Sequence, residues 1–461
     1  MASVALTAPA GVLEVIGRLQ KAGFEAWCVG GGVRDALLSQ MKGENHRPAR
    51  EWDIATSARP DEVKKVFRRT IPVGVEHGTV GIFDSDNVMY EVTTFRKDVK
   101  TDGRHAVVEF GASLDDDLAR RDFTINAIAY NPETGELRDP FDGRTDLKRG
   151  VVRAVGVAED RMREDRLRAL RGIRFASRFR FHIEPGTWIA IKHSAPHMGR
   201  LSAERVKQEL EKTMQQVEKP STALEWWRES GALKALVPSI ADAPRERFRA
   251  MDLLQLPLND DNGGNDGNSR IGLPGAKGTV LNRLAMLFFG GVALEVAAAT
   301  KALKFSNLDS AWIVAMAAAR AGIGAEIDGV LEKGPAEAAQ IRRWVAQVGR
   351  TRTDAFCEMN GALHLARRSA PDATTGAVAP DAGLAERLAE FRRAAVEIAF
   401  RDPIEIADLA IDGEDLRAAG VPAGPEMGRV LKTLLERVIE DPALNTVASL
   451  TAVAKTFATS R

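Results

Sequence analysis

Three groups of residues in this chain have the types and spacing to do chemistry. The first is Val29-Gly30-Gly31-Gly32-Val33-Arg34-Asp35, which follows a short apolar segment, Ala26 to Val29, and runs into Ala36, Leu37 and Leu38. Glycines at a strand-to-helix turn let backbone N–H groups approach an anion closely, and a guanidinium such as Arg34 adds a charged fork to a phosphate. The dinucleotide-binding pattern is not met, because its last glycine would fall on Asp35, and no Gly-Lys-Ser/Thr follows to make a Walker loop. A triple glycine also serves simply as a tight turn, so both readings stand at this point.

The second group is Glu51-Trp52-Asp53-Ile54-Ala55-Thr56. Carboxylates two apart on a strand point to the same face, so Glu51 and Asp53 form a candidate site for a hard cation. Glu91, in Tyr90-Glu91-Val92-Thr93, is a third candidate on a later strand able to pair alongside. A strand with alternating carboxylates is also what a solvated sheet face looks like. Taken together, a glycine turn, a carboxylate pair and a third carboxylate on another strand supply a phosphate cradle and a Mg²⁺ site, the requirements of metal-assisted nucleotidyl transfer.

The third group lies between Arg144 and Arg180, where 12 Lys or Arg face 5 Asp or Glu. Glu164 to Ala176 reads as one helix, with Asp165 and Arg168 three apart on one face and Arg171 and Arg174 following at the same interval. One reading is a solvated face laced with ion pairs. The other is a helix edge that reads a nucleobase, with Asp165 accepting from an exocyclic amino group and the arginines donating to ring nitrogens and carbonyl oxygens. Cytosine and adenine carry an amino group beside a ring acceptor on their pairing edges, whereas uracil and guanine do not. Such a pair would select C and A.

These groups need a scaffold, and 461 residues at roughly 150 per domain allow about three domains. With 28% charged and 44% hydrophobic residues the composition is that of a soluble globular protein, and 64 Lys plus Arg against 64 Asp plus Glu leave only local basic surface. Cys28 and Cys357 make neither a disulfide framework nor a zinc motif, which suits a reducing cytosol. The longest uncharged apolar stretches, Ala311 to Ala319 and Leu284 to Leu294, fall short of the roughly 18 residues of a membrane span. The amino-terminal residues have no basic region before their apolar ones, and Glu14 interrupts them, so no secretory signal is expected and a cytoplasmic enzyme or binding protein is the default. Val12, Leu13, Ile16 and Leu19 predict a helix over Pro9 to Lys21 with Gly23 as its stop. Strands are expected over Ala26 to Val29, Trp52 to Ala55, Thr79 to Phe83 and Val88 to Phe95, so the first third is α/β or α+β. From Asp160 onward helix dominates, interrupted by expected loops at Asn259 to Gly278 and Ala370 to Gly383.

As a set, the motifs resemble the class II tRNA nucleotidyltransferases, which add CCA to tRNA 3′ ends, and the related bacterial poly(A) polymerases. The matching stretches are VGGGVRDALL (29 to 38), EWDIATSARP (51 to 60), VGVEHGTVGI (73 to 82), YEVTTFRKDVKTDGRHAVVEFG (90 to 111), RRDFTINAIAYN (120 to 131), EDRLRALRGIRFA (164 to 176) and LSAERVKQELEK (201 to 212), with a looser match over 412 to 438. The resemblance implies an α+β fold: a nucleotidyltransferase head with a mixed sheet over 1–148, then an all-helical neck over 149–215, body over 216–368 and tail over 384–461. It implies that Gly31 and Arg34 contact the nucleotide triphosphate and that Glu51 and Asp53 bind metal. It places Arg121, Asp165, Arg168, Arg171 and Arg174 in the nucleotide pocket, with Asp165 and Arg168 as a protein template. The family's metal pair is usually Asp-x-Asp, and here Glu51 stands for the first Asp.

The implied activity is addition of C, C and A to tRNA from CTP and ATP with Mg²⁺, in the cytoplasm and without a membrane partner. Two features favour this over poly(A) synthesis: the HGTV stretch at 77 to 80, and the lack of a basic Gly-Arg-Arg-Phe type segment. The full stretch from Arg96 to Phe110 resembles the flexible loop that partial, CC-only enzymes shorten. No His-Asp pair lies near Leu284 to Phe289, so the phosphohydrolase domain of some relatives is not expected. A non-catalytic RNA-binding protein is the rival of another class, and the three carboxylates argue against it.

Overall fold

A computed structural model describes residues 6–43, 52–74, 78–101, 106–254, 275–368 and 382–459. Glu51, His77 and most of the two expected loops lie outside these residues. The chain divides into two compact units, one made of Met1–Glu209 and Glu225–Leu236, the other of Leu210–Leu224 and Val237–Arg461.

The first unit is built on strands β1 (Ala26–Val29), β2 (Asp53–Thr56), β3 (Thr70–Gly74), β4 (Thr79–Phe83), β5 (Met89–Thr94), β6 (Arg96–Thr101), β7 (Ala106–Phe110), β8 (Ala129–Asn131) and β9 (Glu136–Arg138). Seven of them form a mixed sheet in the order β3-β4-β5-β2-β1-β8-β9, while β6 and β7 pair as a separate ribbon. Neighbours in the sheet are antiparallel except β2 and β5. Such a mixed sheet needs cover on the face it buries. Part of that cover is α1 (Ala10–Lys21), whose Val12, Val15, Ile16 and Leu19 recur at helical spacing and are buried. Val29, Ala55, Phe95, Leu114, Leu118, Ala127, Ala129 and Val155 close a second patch of core, with Trp27 and Phe141 packed against it. The helix α2 (Gly31–Lys42) follows β1 directly and ends on Gly43 in the left-handed conformation, φ 64°.

Further helices of this unit are α3 (Pro60–Val66), α4 (Leu114–Ala119), α5 (Gly143–Arg149), α6 (Ala158–Glu164), α7 (Leu167–Phe179), α8 (Pro185–Ser194), the start of α9 (Ala203–Gln216) and the helical residues within Glu225–Leu236. The single helix expected over Glu164 to Ala176 is two. Asp165, φ −148°, stands between α6 and α7, and its Oδ1 accepts the Leu167 N–H at 3.0 Å. An aspartate side chain that satisfies an orphan N–H of a helix start competes with continued helix, which is why the break falls there. Asp165 and Arg168 therefore do not share one helix face, although the Arg168 N–H still reaches the Asp165 carbonyl at 3.1 Å.

The second unit is helical throughout its described residues. The helix Gly275–Met286 takes in the last four residues of the loop expected at 259 to 278, and Ala382–Arg401 takes in Gly383. Leu281, Leu284 and Ala285 are buried one turn on, and that packing draws the preceding glycines into the helix. Arg283 is buried on the same helix and donates to the carbonyls of Leu254, Met214 and Val217. Toward the end of the chain Leu416, Val430, Leu434, Val438, Leu450 and Ala454 form a core of their own.

Candidate active site

The glycine turn sits where β1 hands over to α2. Gly30 adopts φ 73° and ψ −135°, open to glycine and strained for other residues. Space demands glycine as well, because a Cβ there would stand 3.1 Å from both Asp53 Oδ2 and Arg121 Nη1. The turn thus brings an exposed carboxylate and a guanidinium to the start of α2, whose first N–H groups have no partner within the helix.

Asp53 opens β2 opposite Val29. Because β2 and β5 run parallel with Ile54 beside Val92, Asp53 is level with Glu91, and both residues are exposed. Adjacent residues on neighbouring strands share a face about 5 Å apart. Hard oxygen donors at that spacing, next to a glycine turn with no Cβ to fill the space, fit a divalent cation. Among the described residues no group of three or more His, Cys, Asp or Glu is clustered as a metal site. The described part of the site is therefore the pair Asp53 and Glu91, with Glu51 outside the described residues.

Three arginines of the sequence pattern, Arg34, Arg171 and Arg174, converge on one aromatic ring, that of Phe175. Arg34, 4% exposed, points between α2 and α7: its Nη1 donates to Asn126 Oδ1 at 2.6 Å and its Nε to Asp35 Oδ1 at 2.7 Å. Its guanidinium lies over Phe175 and Phe179, at 5.1 and 4.8 Å, and burial lowers its pKa. Arg171 and Arg174 cover the same Phe175 ring at 5.3 and 4.4 Å. Asn126 Nδ2 donates to Asp122 Oδ1 at 2.9 Å, and Arg171 Nε to Asp122 Oδ2 at 2.8 Å. Burial works against the Asp122 charge, but Arg171 and the Asn126 hydrogen bond outweigh it and hold its pKa at about 2. Arg174 is 3% exposed, with Nε 2.5 Å from Glu209 Oε1, so its charge is spent inside the unit.

The remaining candidates are also engaged. Arg121 Nη2 donates to the buried Asp117 at 3.1 Å, while its Nε is buried without a hydrogen-bond partner. Arg168 donates to Glu164 Oε2 at 2.7 Å, to the Arg161 carbonyl at 3.3 Å and to the Arg120 carbonyl at 2.9 Å. Asp165 keeps Oδ1 on the α7 start and takes Arg205 Nη2 on Oδ2 at 2.7 Å. Asp122, Asn126, Phe175 and Arg205 were not singled out as site residues from the sequence. A signal for the first two exists: polar residues four apart within Phe123, Ile125, Ala127 and Ile128 are buried groups in need of partners.

Residues 26–153 match the family described as the poly A polymerase head domain, and residues 180–243 match the probable RNA and SrmB binding site of polymerase A. Over 204 residues the chain is 48% identical to the CCA-adding enzyme of Streptococcus pneumoniae (strain CGSP14), covering 44% of this chain and 49% of that protein. Over 202 residues it is 46% identical to the CCA-adding enzyme of Lactobacillus delbrueckii subsp. bulgaricus, covering 43% and 49%. The matches thus span about half the length of these curated relatives. The structure of the Bacillus stearothermophilus CCA-adding enzyme in complex with CTP superposes with a TM-score of 0.71 at 28% identity, covering 98% of both chains. That of the Thermotoga maritima CCA-adding enzyme complexed with tRNA-CCA superposes at 0.61 and 20% identity over 97% of this chain and 94% of that one, a likeness of fold.

Proposed function

We propose, from the premise that the chain belongs through its head domain and RNA-binding region to the family of CCA-adding enzymes and related poly(A) polymerases, that it is a CCA-adding tRNA nucleotidyltransferase. Its substrates are CTP, ATP and tRNA lacking its 3′ end, met in the cytoplasm. The observation that carries this reading is the level placement of Asp53 and Glu91 on an exposed sheet face beside the Gly30 turn. Asp53 and Glu51 would hold Mg²⁺, whose chemistry when bound is to activate a hydroxyl and offset phosphate charge.

The chain's own residues have the following parts. The N–H groups of Gly31 and its neighbours at the α2 start receive triphosphate oxygens, and Arg121 beside them adds positive charge. Arg34 acts from behind, tying α2 to Phe175 and to the Asn126, Asp122 and Arg171 network. Asp165 and Arg168 read the pairing edge of the incoming base, with Arg171 and Arg174 holding α7, which carries Arg168 and follows Asp165. Glu91, level with Asp53, is the third carboxylate of the catalytic face. The same premise divides the chain into head 1–148, neck 149–215, body 216–368 and tail 384–461.

The test is incubation of the purified protein with tRNA lacking its last three nucleotides, with CTP and ATP separately and together. Addition of two residues with CTP alone and of three with both is expected. Long tails on unstructured RNA with ATP alone would instead make it a poly(A) polymerase, and no incorporation at all would overturn the enzymatic reading.

A further inference from the structure

We propose that Arg163, Arg166 and Arg200 form a binding site for backbone phosphates of the tRNA acceptor strand. The inference rests on the reading of the chain as an enzyme that extends tRNA. It starts from a local imbalance of charge in a chain that is neutral overall. No Asp or Glu occurs between Glu184 and Glu204, while Lys192, His193, His197 and Arg200 within that stretch are all exposed. Two more cations come to the same place from α6 and the residue after Asp165: Arg163, in the last turn of α6, and Arg166, in front of α7. Arg166 is half-buried, and its Nη1 donates to the Oγ of the fully buried Ser194 at the end of α8, at 3.3 Å.

Among the described residues no carboxylate pairs with Arg166 or Arg200, in contrast to the arginines of α7. Burial, Arg163 and Arg200 together push the Arg166 guanidinium below its usual pKa, so these cations crowd one another. Arg163 does pair with Asp160 one turn back, but both side chains are more than half exposed and solvent screens the pair. Cations that merely served separate helix ends would stand apart. Like charges held together repel in the free protein, and an arriving anion relieves that repulsion. Guanidinium forks match phosphate oxygens two at a time, and the Ser194 hydroxyl already orients one of them. Place selects RNA over an acidic peptide. Arg166 adjoins Asp165, where the incoming base would be read, so phosphates passing here belong to the strand that leads to the growing 3′ end. The triphosphate of the nucleotide itself is received elsewhere, at the start of α2.

The double variant Arg163→Gln/Arg200→Gln removes two exposed charges and is expected to melt as the wild type does. Its Kd for tRNA lacking the 3′ end should rise about tenfold at physiological salt, and the slope of log Kd against log salt should fall by about 1.5 to 2. Adding Arg166→Ala should weaken binding further, and Arg166→Lys, which keeps the charge without the fork, should do so less. The KM for tRNA should rise in step, while the KM for CTP and ATP and the preference for C and A keep their wild-type values. Lys64→Gln, which removes an exposed cation from α3, controls for net charge and should leave the Kd within about twofold of wild type. The measurements are filter binding across a salt series, incorporation kinetics on truncated tRNA and thermal melting of each variant. A double variant with the wild-type Kd and salt slope, one that loses no more affinity per charge than Lys64→Gln, or one whose KM rises for CTP in place of tRNA overturns this inference alone. A wild-type protein that does not bind tRNA overturns the reading of the chain as a tRNA enzyme and this inference with it.

Discussion

Asp122→Asn is the substitution on which the network reasoning stands or falls. The native carboxylate is 8% exposed and accepts from Arg171 Nε, Asn126 Nδ2 and the Phe123 N–H, the first at 2.8 Å and the others at 2.9 Å. An asparagine in its place has the same shape but one oxygen, so its amide N–H₂ must meet either Arg171 or Asn126, donor against donor. The charge is lost as well, and its worth follows from the pKa, lowered from 3.8 to about 2. That difference corresponds to roughly 2 kcal/mol of stability carried by the ionised group. Because the folded-state pKa lies below the unfolded one, the contribution is fully present above about pH 4 and is lost as the pH falls toward 2. About half should remain at pH 3. Urea unfolding of wild type and variant at pH 7, 5 and 3 should therefore show a gap of roughly 2 kcal/mol at the two higher values and a visibly smaller one at pH 3. At pH 7 the melting temperature should fall by roughly 4–8 °C. Nucleotide KM should rise too, since Asn126 links Asp122 to Arg34 at the start of α2. Equal stability of the two proteins at pH 7, or a gap that does not change between pH 5 and 3, would refute the claim that Asp122 is the ionised centre of this network.

Asp53→Ala should abolish incorporation while moving the melting midpoint by no more than about 2 °C, as Asp53 is exposed at the start of its strand; substantial turnover by the folded variant would remove Asp53 from the site. Glu51→Asp, which restores the pair usual in the relatives, should leave activity within a few-fold of wild type in the same incorporation assay. Asp165→Ala should lower C and A incorporation by roughly one to two orders of magnitude and raise the relative use of UTP, whereas wild-type kinetics with all four nucleotides would mean that this residue does not read the base. If the segment from Arg144 onward holds tRNA through phosphate contacts, filter-binding affinity should fall steeply and log-linearly with salt and should favour tRNA over single-stranded RNA.

Local order in this protein was written into short stretches of sequence. Ala26 to Val29 and Thr79 to Phe83 are strands with the bounds their residue types predict, and the helix after Pro9 begins one residue on. Residue type and period act between near neighbours, so they specify such elements without knowledge of the fold. The candidate carboxylates and the glycine turn were visible for the same reason, since each is a chemical type at a short spacing. What only tertiary structure decided is who meets whom. Parallel docking of β5 on β2 puts Glu91 level with Asp53, and nothing within either strand requires that register. Spacing along α7 suggested that Arg168, Arg171 and Arg174 face a ligand together, yet their actual partners are Glu164 and the Arg120 carbonyl, Asp122, and Glu209. A guanidinium on a flexible stem takes its direction from whichever acceptors packing delivers, and most of these are 35 to 49 residues away along the chain.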